Sequence, residues 1–166
     1  MTMKMFLGAL TVGLGLAVSQ AALAGAAGDL THWKRDAGRI ASWHMTYPTG
    51  TSRHTFGNSH AVVKAVIDRD GRVLKSHLAT ITGHDAFTRE SRSFLRRLDS
   101  LPALPDSVEG DRALVRIHLL YAERESDLKT LHRTIVETQR IAEQADPTEL
   151  GDTAGLPVID MVAGGY

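Results

Sequence analysis

The amino-acid sequence predicts an α+β domain in which a small three-stranded antiparallel sheet packs on one helix in two layers, with an extra helix at each end. Three observations lead to this prediction. An alternating run and an extended run flank a tight-turn sequence at 68–71, a one-faced helix follows them, and a second alternating run spans 113–121. A helix between the second and third strands can cover one face of such a sheet.

Composition limits both the number of domains and the classes of function. The chain has 166 residues, 43% of them hydrophobic, which suits one core once a short N-terminal segment is set aside. The 19 basic and 19 acidic residues cancel, so charge gives no argument for a nucleic-acid partner. Because there is no cysteine, disulfides, thiolate metal sites and a cysteine nucleophile are excluded.

Residues 1–24 have the pattern of a signal peptide. Lys4 precedes an almost wholly apolar run from Met5 to Val18, and Ala22-Leu23-Ala24 before Gly25 has the small-x-small form of a cleavage site. A membrane anchor is the alternative, because Met5 to Ala24 is long enough to cross a hydrocarbon core of roughly 30 Å. Cleavage predicts a periplasmic protein, whereas retention predicts an inner-membrane anchor that faces the periplasm.

The next segment, 25–58, is predicted to hold an N-terminal helix and an irregular connection. Asp29 can cap a helix whose apolar residues recur every three or four positions, and Tyr47-Pro48 ends it. Trp33 and Trp43 are expected to anchor this helix to the sheet, with an aromatic binding platform as the alternative. From Thr49 to Ser59 the chain is rich in Gly, Ser and Thr without periodicity, which predicts a loop.

The predicted core, 59–122, begins with a β-hairpin. Apolar residues alternate along 61–67, and an extended pattern resumes over 73–81. The turn between them is assigned to Asp68, Asp70 and Gly71. Glycine takes positive φ at low cost, and Asp68 can accept hydrogen bonds from the turn's amides. Gly83 then breaks the second strand.

A helix and a third strand complete the predicted core. Between residues 87 and 101 the large apolar side chains fall on one helical face, until Pro102 ends the helix. The run 113–121 alternates as regularly as a half-buried strand does.

Two segments follow the predicted core. Residues 123–146 are predicted to form an amphipathic helix, which either packs on the domain or meets a second copy as a coiled coil in a homodimer. The Gly-rich tail, 147–166, is either loose or a late strand available to a sheet edge.

The sequence carries no catalytic signature. It contains no Gly-x-Ser-x-Gly elbow, no phosphate-binding Gly-x-x-x-x-Gly-Lys loop and no dinucleotide fingerprint. We predict no metal and no other cofactor, because the eight histidines include no His-x-x-x-His pair. His77 and His118 would face each other if the second and third strands were neighbours, and otherwise each is a hydrogen-bonded strand residue. We predict a protein that is not an enzyme, with an uncharacterised periplasmic enzyme as an alternative.

The order of these signals resembles the C-terminal domain of the TonB family, also called TonB/TolA C-terminal-like, as a divergent member. The resemblance runs from Leu30 to Ala122, and its motifs are Tyr47-Pro48, the turn Ile67 to Val73, Thr82-Gly83-His84, and Leu101 to Pro105. Two departures are Ile81-Thr82 in place of paired serines and Thr88 in place of an acidic residue.

The resemblance implies a periplasmic protein-binding module, linked to TonB-type transmembrane transport, that grips a peptide by adding it as a strand to a sheet edge. In that family the edge is the last strand, which here is 113–121. The residues expected to contact the partner are Tyr47, Pro48, Arg116, His118 and Leu120. The partner would be a protein or peptide of the cell envelope, such as an outer-membrane receptor. A membrane-anchored energy transducer is the alternative, although the chain lacks the Pro-rich linker of such proteins.

Overall fold

The computed structural model describes residues 17–48, 56–142, 153 and 155–165. In chain order the elements of this part are α1 (Ala17–Trp43), β1 (Ser59–Asp68), β2 (Val73–Ile81), α2 (Asp85–Arg97), β3 (Arg112–Tyr121), α3 (Glu125–Ala142) and β4 (Val158–Gly165). The predicted α+β class is therefore confirmed.

The sheet is four-stranded and mixed, in the order β2-β1-β3-β4. Strand β1 is antiparallel to both β2 and β3, whereas β4 pairs with β3 in parallel. The prediction of three antiparallel strands with β3 at the edge is wrong, because a strand from the predicted tail covers that edge. A parallel neighbour requires a crossover connection, and α3 lies in the crossover between β3 and β4.

The hairpin of β1 and β2 closes through the predicted turn. Gly71 has φ +85°, and the carboxylate of Asp68 accepts a hydrogen bond from the Arg72 amide at 2.8 Å. Asp70 is exposed at the tip. The amide of Leu101 donates to the carbonyl of Gly71 at 2.9 Å, so the turn is docked on the loop that follows α2. After β2 the chain turns at Gly83, where φ is +98°.

The hydrophobic core lies between one face of the sheet and helices α1 and α2. The sheet contributes alternate, fully buried residues of its two central strands, which include Ala61, Val63, Ile67, Ala113, Val115, Ile117, Leu119 and Tyr121. Helix α2 contributes Phe87 and Phe94, and α1 contributes Trp33. The indole Nε1 of Trp33 donates to the Pro102 carbonyl, in the loop after α2, at 3.0 Å. Trp43 is 74% exposed, so the anchoring role predicted for Trp43 is wrong.

Helix α1 begins earlier than predicted. It starts at Ala17, so Asp29 lies inside the helix and the prediction that Asp29 caps it is wrong. The alanine-rich residues before Asp29 have high helix propensity and continue the helix in the N-terminal direction. The predicted signal peptide overlaps α1 at 17–24, and its first sixteen residues lie outside the described ranges. In the described ranges no helix is long and apolar enough to cross a membrane.

Candidate functional site

The second face of the sheet, opposite the core, carries polar side chains that cross three strands. We call them the polar row: His60 of β1, Arg116 and His118 of β3, and Asp160 of β4. Side chains alternate between the two faces along a strand, so the burial of Ile117 in the core turns Arg116 and His118 to the second face.

The polar row is connected from one side chain to the next. Arg116 Nη2 donates to Asp160 Oδ2 at 2.6 Å, and His118 Nε2 lies 3.4 Å from Oδ1 of the same carboxylate. On its other side His118 Nδ1 lies 3.1 Å from His60 Nε2, and the two rings are stacked with an interplanar angle of 11°. Two hydrogen arrangements satisfy both contacts: His60 Nε2–H can donate to His118 Nδ1, or His118 Nδ1–H can donate to His60 Nε2, and in each of them His118 Nε2–H donates to Asp160.

Burial and neighbouring charges determine the protonation of two members of the polar row. Burial, followed by the charge of His118, lowers the pKa of His60 from 6.5 to about 4. Burial raises the pKa of Asp160, but hydrogen bonds from His118 and Arg116 outweigh it and hold this pKa below the ordinary value of 3.8. At neutral pH the polar row therefore joins a neutral His60 to an Asp160–Arg116 ion pair.

Strand β4 lies between β3 and α1. Eight residue pairs join it to β3. On the outer side of β4 the Gly164 amide donates to Ser42 Oγ at 3.1 Å, and the Val162 carbonyl oxygen lies 2.5 Å from the position of a Cβ on Gly38. A Cβ on Gly164 would lie 2.8 Å from the side chain of Leu128 in α3. The strand can approach α1 this closely because Gly38 has no side chain.

Two of the five residues predicted to contact a partner, Arg116 and His118, lie in the polar row. Both are shielded, since the side chain of Arg116 is 25% exposed and that of His118 is 9% exposed. Leu120 is fully buried, so the prediction that it points outward to a partner is wrong. None of the three residues lies at a free sheet edge, because β3 is an inner strand.

Of the other two predicted contact residues, Tyr47 lies on the core side of the sheet. The Tyr47 ring packs edge-to-face on Phe87, with ring centroids 5.6 Å apart, and its hydroxyl donates to the Gly57 carbonyl at 2.9 Å. Pro48 is buried. Since Phe87 belongs to the core and Arg116 to the opposite face, the structure does not bring the two predicted groups together.

The histidine pair considered from the sequence, His77 with His118, does not form. Strand β1 lies between β2 and β3, and His77 is the register partner of Lys64. The ring that contacts His118 is that of His60, two positions from Val62, the register partner of His118, and sequence reasoning missed it because the β1–β3 register was unknown. Asp160 was also missed, although it is the one charged residue in the run 156–162 and could have been noticed for that reason.

Neither a metal site nor a similar known protein assigns a function to this chain. Among the described residues no group of three or more His, Asp or Glu side chains is placed to hold a metal ion. Comparisons with protein-family models, with curated proteins and with solved structures find no match for this chain. The strand arrangement and the polar row are therefore the features that bear on function.

Proposed function

We propose that the chain is a periplasmic protein-binding module that takes a peptide of an envelope partner as an added strand beside β3. The observation that carries this proposal is the parallel pairing of β3 with β4, a short strand that comes from the Gly-rich tail. We call the position beside β3 the β3 slot. In strand addition the backbone hydrogen bonds supply affinity and the side-chain contacts supply selectivity.

The β3 slot has the properties of a peptide groove. The strand that fills it is eight residues long, and its core-facing side chains are apolar and buried: Ile159, Met161 and Ala163. Its far wall is α1, where Gly38 and Ser42 approach the strand backbone. Contacts to backbone atoms do not depend on the identity of the side chains, so another strand of similar pattern can make them.

The sequence supports the cellular location, the process and the partner in this proposal. The resemblance to the TonB C-terminal family supports the same mode of binding, and the export pattern of residues 1–24 supports a periplasmic location. We propose TonB-type transport as the process that the module serves, with an outer-membrane receptor as the partner. A role as an energy transducer would also require residues 5–24 to stay in the membrane.

A chain that ends at Gly155 should bind a free peptide of residues 156–166, because removal of β4 leaves the β3 slot open. Fluorescence anisotropy of the labelled peptide measures the affinity. The matched control is the same peptide with Met161→Pro, which should bind at least about tenfold more weakly because a ladder amide is lost. This amide faces β3, since the Leu114 amide donates to the Pro157 carbonyl and alternate residues follow.

Equal affinities of the two peptides would contradict the proposal, as would an absence of binding to a shortened chain that still melts cooperatively. Loss of the folded state on shortening would also contradict it, because β4 would then be a fixed part of the core.

A further inference from the structure

We infer that the β3 slot selects a partner strand that carries an acidic residue at the position of Asp160, with an apolar residue on each side of it. This inference rests on the proposed function and deepens it, since it names the chemistry of the strand that the slot accepts. The side chain at this position points to the second face of the sheet, where β3 presents Arg116 and His118.

Two donors of β3 converge on the carboxylate at this position. Arg116 Nη2 is 2.6 Å from one oxygen of Asp160, and His118 Nε2 is 3.4 Å from the other. The Asp160 side chain is 18% exposed, so the pair lies in a partly buried setting. A cation shielded from water without an acidic partner loses hydration without compensation. A neutral or basic residue at position 160 would leave the Arg116 cation shielded from water and without an acidic partner.

The guanidinium group of Arg116 also has an unused donor. Its Nε is buried and has no hydrogen-bond partner among the described residues, because Asp160 engages Nη2. A carboxylate that approaches side-on bonds to two guanidinium nitrogens at once. An acidic side chain of different reach, such as glutamate, can therefore make one bond more than Asp160 makes. Within the described ranges, the chain's own strand β4 therefore leaves one donor of Arg116 without an acceptor.

Positive charge continues from Arg116 to the neighbouring strand. Lys64 of β1 is the register partner of Arg116, which places two cationic side chains directly opposite each other on the second face. Like charges in this arrangement destabilise a sheet, and a carboxylate at position 160 reduces the repulsion. Electrostatics thus favours an anionic strand over a neutral one.

The residues on each side of the acid follow from burial and space. Ile159 is 2% exposed and Met161 is 3% exposed, so both flanking positions require apolar side chains. Position 164 favours a small residue, because a Cβ there would lie 2.8 Å from the end of the Leu128 side chain. The partner strand is therefore expected to carry an acidic residue between two apolar residues, with a small residue three positions after the second of them.

The test uses the full chain with Asp160→Asn, which weakens the attachment of its own strand and leaves Arg116 and His118 in place. Three labelled peptides of residues 156–166 are compared by anisotropy: the natural sequence, an Asp160→Asn version and an Asp160→Lys version. The natural peptide should bind at least about tenfold more tightly than the Asn version, and the Lys version should bind most weakly. In the chain that also carries Arg116→Glu, the order of the natural and Lys peptides should reverse.

The other possible results separate a failure of the acidic preference from a failure of the strand slot. Equal affinities of the three peptides, or an order that Arg116→Glu leaves unchanged, would overturn the acidic preference and keep the strand slot. Binding of no peptide to either folded chain would overturn the inference together with the proposed function. If Arg116→Glu prevents folding, Arg116→Gln replaces it, and the advantage of the natural peptide over the Asn version should then disappear; its persistence would overturn the inference.

Discussion

Replacing Gly71 with alanine is expected to lower the free energy of unfolding by at least about 3 kcal/mol. Gly71 has φ +85°, which costs a residue with a Cβ roughly 1–2 kcal/mol. The added Cβ would also overlap the carbonyl oxygen of Leu101 and lie 2.6 Å from that of Pro102. The loop cannot move away freely, because the Leu101 amide is bonded to the Gly71 carbonyl. Urea unfolding followed by circular dichroism measures the loss.

Gly110→Ala is the matched control for this variant. Gly110 has the same φ of +85°, but among the described residues no atom lies within 4 Å of its Cβ position. The control should therefore lose only the backbone cost of roughly 1–2 kcal/mol. If Gly71→Ala loses no more than Gly110→Ala, the docking of the turn on the loop at 101–102 is contradicted.

The second large effect is a loss of stability as the pH falls from about 7.5 to 5. An unfolded histidine binds its proton near pH 6.5, whereas the folded chain lowers the pKa of His60 to about 4. The unfolded state therefore binds more protons in this interval, and the free energy of unfolding falls with the pH. Because His60 is only partly buried, we expect a loss of roughly 1–2 kcal/mol. The lowered pKa of Asp160 acts below 3.8, outside this interval.

A His60→Gln variant should lose most of this pH dependence, because it keeps a polar side chain beside His118 but cannot take up the proton. His132→Gln is the matched control, since His132 is exposed on α3 and lies outside the polar row. Urea unfolding of the three proteins at both pH values measures the difference. The same pH dependence in the natural chain and in His60→Gln would show that His60 is not held neutral by the fold.

The hairpin and α2 could be predicted because their causes lie within a few neighbouring residues. The turn needs one residue with positive φ and one side-chain acceptor, and Gly71 and Asp68 supply them in adjacent positions. Helix α2 has its apolar residues on one face. The start of α1 could not be predicted, because Asp29 is a good cap while the alanines before it favour helix, and the sequence contains both signals.

The sequence allows a late strand as one of two alternatives for the tail, but neither the pairing of β4 with β3 nor the polar row could be predicted, because tertiary contacts determine them. The run 156–162 is short, follows Gly155 and has Asp160 in its middle, so the same composition suits a loose tail. It becomes a strand because the β3 edge offers a backbone ladder and Arg116 offers a partner for the acid. The contact of His60 with His118 likewise spans 58 positions and depends on the β1–β3 register.

Native-state hydrogen exchange of the full chain tests most directly whether the β3 slot opens while the domain stays folded. Strand β4 has one strand neighbour, whereas β1 and β3 have two each. The β4 amides that face β3, at Ile159, Met161 and Ala163, should therefore exchange through a local opening, with protection at least about tenfold lower than that of the central strands. Exchange of all these amides together, only through global unfolding, would contradict the account and make β4 a permanent strand of the core.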